Sequence, residues 1–274
     1  MNLTATSLPA VSLPAMLRVS RLDLTLLWRN KTSLVTVFGL PAVFAGMLVP
    51  MKGIDMDGVD AALLQGTGHL GLFLVFAVLM NLVTVFTARR EDLTLKRLRG
   101  TALSDAEITG GSVLTAIAMY AAQALALLVV LGAALGGRFP ADPVLLLAGL
   151  AGGVAVFTAL AFALSGVSPS AELAQLIVLP IMFGCMLGGG VMFPLDDLPG
   201  WVAQISRLTP LSPVVEITRT GYFGQDFHDH SAHPSVGILE GWRACLPSFA
   251  VLAFWVVLGR VLAARWFRWE PRHA

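Results

Sequence analysis

The sequence predicts an all-α integral membrane protein of six transmembrane helices, with an N-terminal interfacial amphipathic helix and short half-embedded helices in the outer loop between spans five and six. Composition is the first reason: 56% of the 274 residues are hydrophobic and 13% charged, with a mean hydropathy of +0.79, whereas soluble chains carry about 25% charged residues. Spacing is the second, because six stretches approach or exceed the ~18 uncharged residues that cross a hydrocarbon core as a helix. Third, Lys and Arg fall unevenly between the connecting segments, as the positive-inside rule requires. The net charge of +1 gives no reason to expect a nucleic-acid partner.

Residues 1–15 lack a basic n-region and a continuous apolar h-region, so they read as a mobile cytoplasmic tail and not as a cleavable signal peptide. A single transmembrane domain fills 16–270. It opens with "MLRVSRLDLTLLWRNK", which sets Arg18, Arg21, Thr25 and Arg29 within one arc of a helix, beside Val19, Leu22 and Leu26. That suits a helix in the inner interface, its basic side toward anionic headgroups; the alternative is an extension of the first span. The spans run from about Ser33 to Pro50, Leu70 to Ala88, Ile108 to Gly136, Val144 to Gly166, Leu173 to Phe193 and Trp242 to Ala264. Pro41 and Pro180 fall inside spans one and five and kink them, which neighbouring helices tolerate in a membrane. Arg243 and Arg260 lie toward the ends of span six, where long side chains snorkel to the interfaces.

Six crossings put both termini on one side. Arg18, Arg21, Arg29 and Lys31, then Arg89, Arg90, Lys96, Arg97 and Arg99, then Arg260, Arg265, Arg268 and Arg272 share it, thirteen of the eighteen basic residues. The other side has Lys52, Arg138, Arg207, Arg219 and Arg243, and its first loop is acidic at Asp55, Asp57 and Asp60. Both termini are therefore expected in the cytoplasm, with the chain in the plasma membrane. The outer loop, 194–240, exceeds the ~15 residues at which structureless loops become uncommon. Within it, "GWVAQISRL" and "PVVEITRTGYF" read as helices half-embedded in the outer leaflet, because Arg207, Glu216 and Arg219 make a seventh crossing costly. Cys185 and Cys245 read as packed thiols.

Several chemistries find little support. No glycine-rich loop ending in Gly-Lys-Ser/Thr is present, so ATP, if used, is bound by another chain. His228, His230 and His233 with Asp226 and Asp229 supply metal-ligand types, but in a polar loop with no further His or Cys nearby, which favours a solvated loop. His69 reads as an interface residue at the mouth of span two. Ser165 and Ser168 lack a base within reach, so they pack or cap the next helix. Asn81 and Gln123 are the main polar side chains within the spans, and Glu172 sits at a span end, which argues against proton or sodium coupling at the midplane. Small-residue runs such as "GGSVLTAIA", "GLAGGVAVF" and "MLGGGVMF" permit close helix packing or sliding.

The most unusual segment is "RREDLTLKRLRGTALSDAEI", residues 89–108. It reads as a short cytoplasmic helix with Gly100 as a left-handed stop, then a restart with Ser104 as N-cap and Glu107 three residues on, a capping box stapled by Leu103 and Ile108. Such an element suits force transmission from a cytoplasmic partner; an ordinary basic anchor is the plainer alternative.

Within it, "REDLTLKRLRGTALS" resembles the cytoplasmic signature of ABC transporter permeases of the type-2 exporter class. Glu91, Thr94, Leu95, Leu98, Thr101, Leu103 and Ser104 match the pattern; Leu93 stands where that family has glycine and Ala102 where it has proline. The interfacial helix, the six spans and the region "GGGVMFPLDDLPGWVAQISRLTPLSPVVEITR" extend the resemblance over nearly the whole chain. It implies a permease subunit that pairs with a second copy or a paralogue and docks two separate ATP-binding subunits, which hold ATP and magnesium. The chain itself then carries no catalytic residue, cofactor or metal. The resemblance makes 89–107 the coupling segment, through Glu91, Thr94, Leu95, Lys96, Arg97, Leu98, Arg99, Thr101, Leu103 and Ser104, with the Arg18, Arg21 and Arg29 helix beside it. The implied cargo is a hydrophobic drug, antibiotic or lipid-like molecule, and the implied role is efflux and antibiotic resistance. The competing readings are a non-transport membrane scaffold or assembly factor and, more remotely, an intramembrane hydrolase.

Overall fold

A computed structural model of the chain describes residues 12–29, 31–56, 58–94, 103–191, 199–228 and 234–267. Helix α1 (Leu13–Arg29) is followed by α2 (31–46) and a short antiparallel hairpin, β1 (Asp55–Met56) and β2 (Val59–Asp60). Then come α3 (Ala61–Glu91), α4 (Asp105–Ala133), α5 (Pro143–Val167), α6 (Ala171–Gly188), α7 (Gly200–Arg207), α8 (Ser212–Phe223), α9 (Ile238–Ala244) and α10 (Leu246–Trp266). Among the described residues, α3, α4, α5, α6 and α10 are long and apolar enough to cross a membrane.

The expected first span is the exception, its apolar helical stretch being shorter, Val37–Met51. Proline has no N–H to give the carbonyl four residues back, so Pro41 leaves the Val37 carbonyl without its helical donor. The chain forms a π turn over Val35–Gly39, and Gln123 Nε2 from α4 donates to Val37 O at 2.7 Å. A side chain of another helix thus replaces the missing backbone bond.

The second span begins earlier than the apolar run suggests. Asp60 caps it by accepting from the Ala62 and Leu63 amides, so α3 gains residues 61–69. That corrects the reading of His69: it lies inside the helix and is buried, its ring centroid 5.3 Å from Phe44 and 6.3 Å from Phe73. Helix α3 is the central element, with 72% of its most apolar stretch buried against 17% for α10. Leu70, Leu74, Leu79, Leu82 and Phe86 are enclosed on all sides, as befits a helix that is hydrophobic all round.

The expected sixth span divides into α9 and α10, with Pro247 in the first turn of the latter, where a missing N–H costs little. Cys185 and Cys245 are both buried free thiols; burial pushes the Cys245 thiol up to about 12.

Both helices expected in the outer loop form, but α8 is not half-embedded in a leaflet. Val214, Val215, Ile217, Thr218 and Thr220 are buried against α3 and α5. Small residues allow the approach: a Cβ on Gly149 would stand 2.7 Å from Ile217 Cγ2, and one on Gly221 would stand 2.6 Å from Leu146 N. Arg219 enters this core because its guanidinium donates to Leu64 O at 3.2 Å and Gly190 O at 2.8 Å. Burial pulls its pKa down to about 10, so it stays a cation at neutral pH. Gly190 can offer that carbonyl from its turn after α6, where φ is 67°, a left-handed value that glycine adopts freely.

Candidate functional site

The last turn of α3 holds Arg89, Arg90 and Glu91 in succession. Consecutive helical residues point about 100° apart, so three neighbours reach three directions, and here each grips a different part of the bundle. Arg89 pairs with Asp23 of α1 and donates from Nη1 to Ser112 Oγ of α4 at 2.7 Å. Arg90, buried at 3% exposure, donates to Ser165 O at 2.8 Å and to Ser168 O. Those carbonyls belong to the C-terminal end of α5. Glu91 Oε2 accepts from Ala171 N at 2.8 Å, the first residue of α6.

The signs match the helix dipoles. A cation meets the negative C-terminal end of α5 and a carboxylate the positive N-terminal end of α6, while Arg89 and Arg90 also complement the end of α3 itself. Burial pushes the Asp23 carboxyl above its usual range, and Arg89 pulls it back only in part.

A second carboxylate joins α1 to α4. Ser104 caps α4 and Glu107 Oε2 accepts from Ser104 N at 2.7 Å, the capping box expected from the sequence. In addition, Glu107 Oε1 accepts from Ser12 N at 2.8 Å, just ahead of α1. Helix α1 lies tightly on α4: Ala15, Val19 and Ser20 are buried, a Cβ on Gly111 would stand 2.5 Å from Val19 Cβ, and Thr115 Oγ1 is 3.0 Å from Ser20 Oγ. Arg18, Arg21 and Arg29 are exposed, and so are Leu22 and Leu26, which leaves an apolar strip beside the basic one.

Beyond Glu91 the chain turns sharply. Asp92 closes the helix by donating its amide to Ala88 O, Leu93 N donates to Arg90 O at 3.2 Å, and Leu93 has φ 55°. This is a left-handed helix stop, formed at the position where the resemblance has glycine. The continuous helix expected from 89 to Gly100 is therefore broken at 92–93, and Thr94 is helical again. Leu95, Lys96, Arg97, Leu98, Arg99, Gly100 and Thr101 lie outside the described residues.

Sequence reasoning found Glu91, Ser104 and Glu107 but took Arg89 and Arg90 only as topological charges and passed over Asp23. The available signal was Asp23 itself, the lone acid in a basic helix. The two serines weighed for a hydrolase turn their hydroxyls to their own helix, Ser165 Oγ donating to Phe162 O at 2.9 Å and Ser168 Oγ to Leu164 O at 2.8 Å. Ser170, not Ser168, caps α6. Of the histidine group, His228 Nδ1 lies 2.9 Å from Glu216 Oε1; His230 and His233 fall outside the described residues.

Among known families, the profile of the ABC-2 type transporter matches residues 15–223, from α1 to the end of α8. No curated protein matches the chain at a significant level.

Proposed function

We propose, because this chain belongs to the ABC-2 type transporter family, that it is the permease subunit through which an ATP-driven exporter moves a small lipophilic molecule out of the cell. Members of the family are transport components that work with an ABC ATP-binding subunit. In our reading two such subunits, carrying ATP and magnesium, dock beneath a pair of permease chains. The partner chain is a second copy or a paralogue, both termini are cytoplasmic, and the plasma membrane is the setting.

The observation that carries the reading is the junction at the end of α3. Arg89, Arg90 and Glu91 bind α1, α4, α5 and α6 immediately before the segment that the resemblance assigns to the ATPase contact. A displacement of 92–104 is delivered to those helices at once. The outer loop closes the external side, with α8 packed into the core as its anchor. The cargo is a drug, antibiotic or lipid-like compound, in keeping with spans almost free of charge.

Co-purification from native membranes tests this. A stoichiometric nucleotide-binding chain whose ATP hydrolysis responds to lipophilic compounds is the expected result. Reversing Lys96, Arg97 and Arg99 to glutamate should abolish that response while membrane insertion is retained. Unchanged transport by the triple variant, or no nucleotide-binding chain under conditions that keep known complexes intact, overturns the proposal in favour of a scaffold.

A further inference from the structure

Between α1, α2, α3, α4 and α6 lies a cavity of about 540 Å³, running from the Arg89 junction to Phe76. Its volume falls in the ~300–1,000 Å³ range of small-molecule sites. The wall is mainly apolar, with Phe76, Met80 and Met119, and is interrupted by Asn81, Thr84 and Gln123. The two ionisable side chains on it, Asp23 and Arg89, neutralise each other. A ligand carrying its own charge would find no free counter-charge on the described wall, and burying an unpaired ion is costly.

Gln123 is the most informative group. It is 4% exposed, its Nε2 is spent on Val37 O, and its Oε1 is buried without a partner in the protein. A buried acceptor left unmet is unfavourable, and the residue that carries it lines the cavity. Both π segments, Val35–Gly39 of α2 and Val75–Met80 of α3, also contribute to the same wall, through Val37 and through Phe76, Ala77 and Met80. Such segments are rare and concentrate at functional sites.

We infer that this cavity within a single chain binds a neutral, drug-sized lipophilic molecule that donates a hydrogen bond, from a hydroxyl or an amide N–H, to Gln123 Oε1, the amide turning to present that oxygen to the cavity as the ligand enters. The inference rests on the transport reading for the purpose of the site but names its ligand chemistry independently. The apolar wall takes the body of the molecule, the Met side chains adapt to its shape, and the single donor fixes its orientation.

The test uses the purified full chain in nanodiscs, without any ATPase, and two photoreactive probes: 4-benzoylbenzyl alcohol, which has a hydroxyl donor, and its methyl ether, which has none. After irradiation, labelled peptides are mapped by mass spectrometry. The alcohol should label Met80 and Met119 on the order of 5-fold more than the ether, the effect of one hydrogen bond. Gln123→Leu should bring the two probes level. Because that change also removes the Val37 link, Thr84→Trp, which fills the cavity and leaves Gln123 in place, should abolish labelling at both methionines by either probe. Equal labelling by alcohol and ether in the wild type, or labelling that survives Thr84→Trp, overturns the inference. Failure here with ATPase coupling intact refutes the site alone, whereas loss of coupling with probe binding intact refutes the transport reading alone.

Discussion

The two ends of helix α3 are held by different means. At the Glu91 end, single polar side chains reach one helix terminus each, and every link is a separate bond with a separate partner. At the Ala61 end, a whole short helix, α8, is pressed into the core with glycines at the contact, and a buried arginine ties the strands of chain around it. Bonds of the first kind can be exchanged one at a time, each worth about 1.5–3 kcal/mol when charge-assisted. A close-packed surface is bistable at best and does not deform gradually. On the transport reading, the contrast suits the polar end to take up a displacement and the α8 end to serve as its fixed point.

The sharpest way to break that contrast is Gly221→Val. Its side chain must occupy space held by the Leu146 backbone, and overpacking of that kind costs up to about 3 kcal/mol. The unfolding temperature in detergent should fall steeply; a wild-type temperature would mean the packed end is loose. Similar in size, Arg90→Met removes two charge-assisted bonds to α5 and should cost about 3 kcal/mol, the low end for two such bonds. In the reconstituted complex it should also blunt substrate-stimulated ATP hydrolysis, a loss that Gly221 variants which still fold should not share. Leu93→Gly should act in the opposite sense. It relieves a left-handed side chain, for a gain of about 0.5 kcal/mol after glycine's own entropy cost, seen as a small rise in unfolding temperature.

The smallest effect concerns pH. Burial raises the Glu216 carboxyl, against the lowering pull of Ser248 and His228. A carboxyl raised in the folded state holds a proton that the unfolded chain releases, so its contribution is full below the ordinary value of about 4.3 and is lost as pH rises through the raised one. Glu216→Gln should flatten this slope, its advantage over wild type growing from pH 4 toward neutrality. An advantage independent of pH would show that Glu216 titrates normally.

Much of the fold could be read from the chain because a bilayer demands long apolar helices, and composition announces them. The capping box at Ser104 and Glu107 was equally legible, being local in sequence. What escaped were features whose partners lie far apart. Asp60 extends α3 through polar residues that hydropathy leaves outside the span, and so buries His69. Arg219 looked too costly to bury until two distant carbonyls, at Leu64 and Gly190, were there to receive it. Arg89 and Arg90 satisfied the positive-inside rule so well that their second role had no separate signal.

The bond from Gln123 to the Val37 carbonyl has a consequence for how the protein is made. The first apolar segment leaves the ribosome with a carbonyl that Pro41 cannot satisfy, and the Gln123 donor arrives 86 residues later. Its stable placement in the membrane must therefore wait for the α4 sequence, so a nascent chain stalled before residue 123 should hold 31–51 less securely than the same chain released after it.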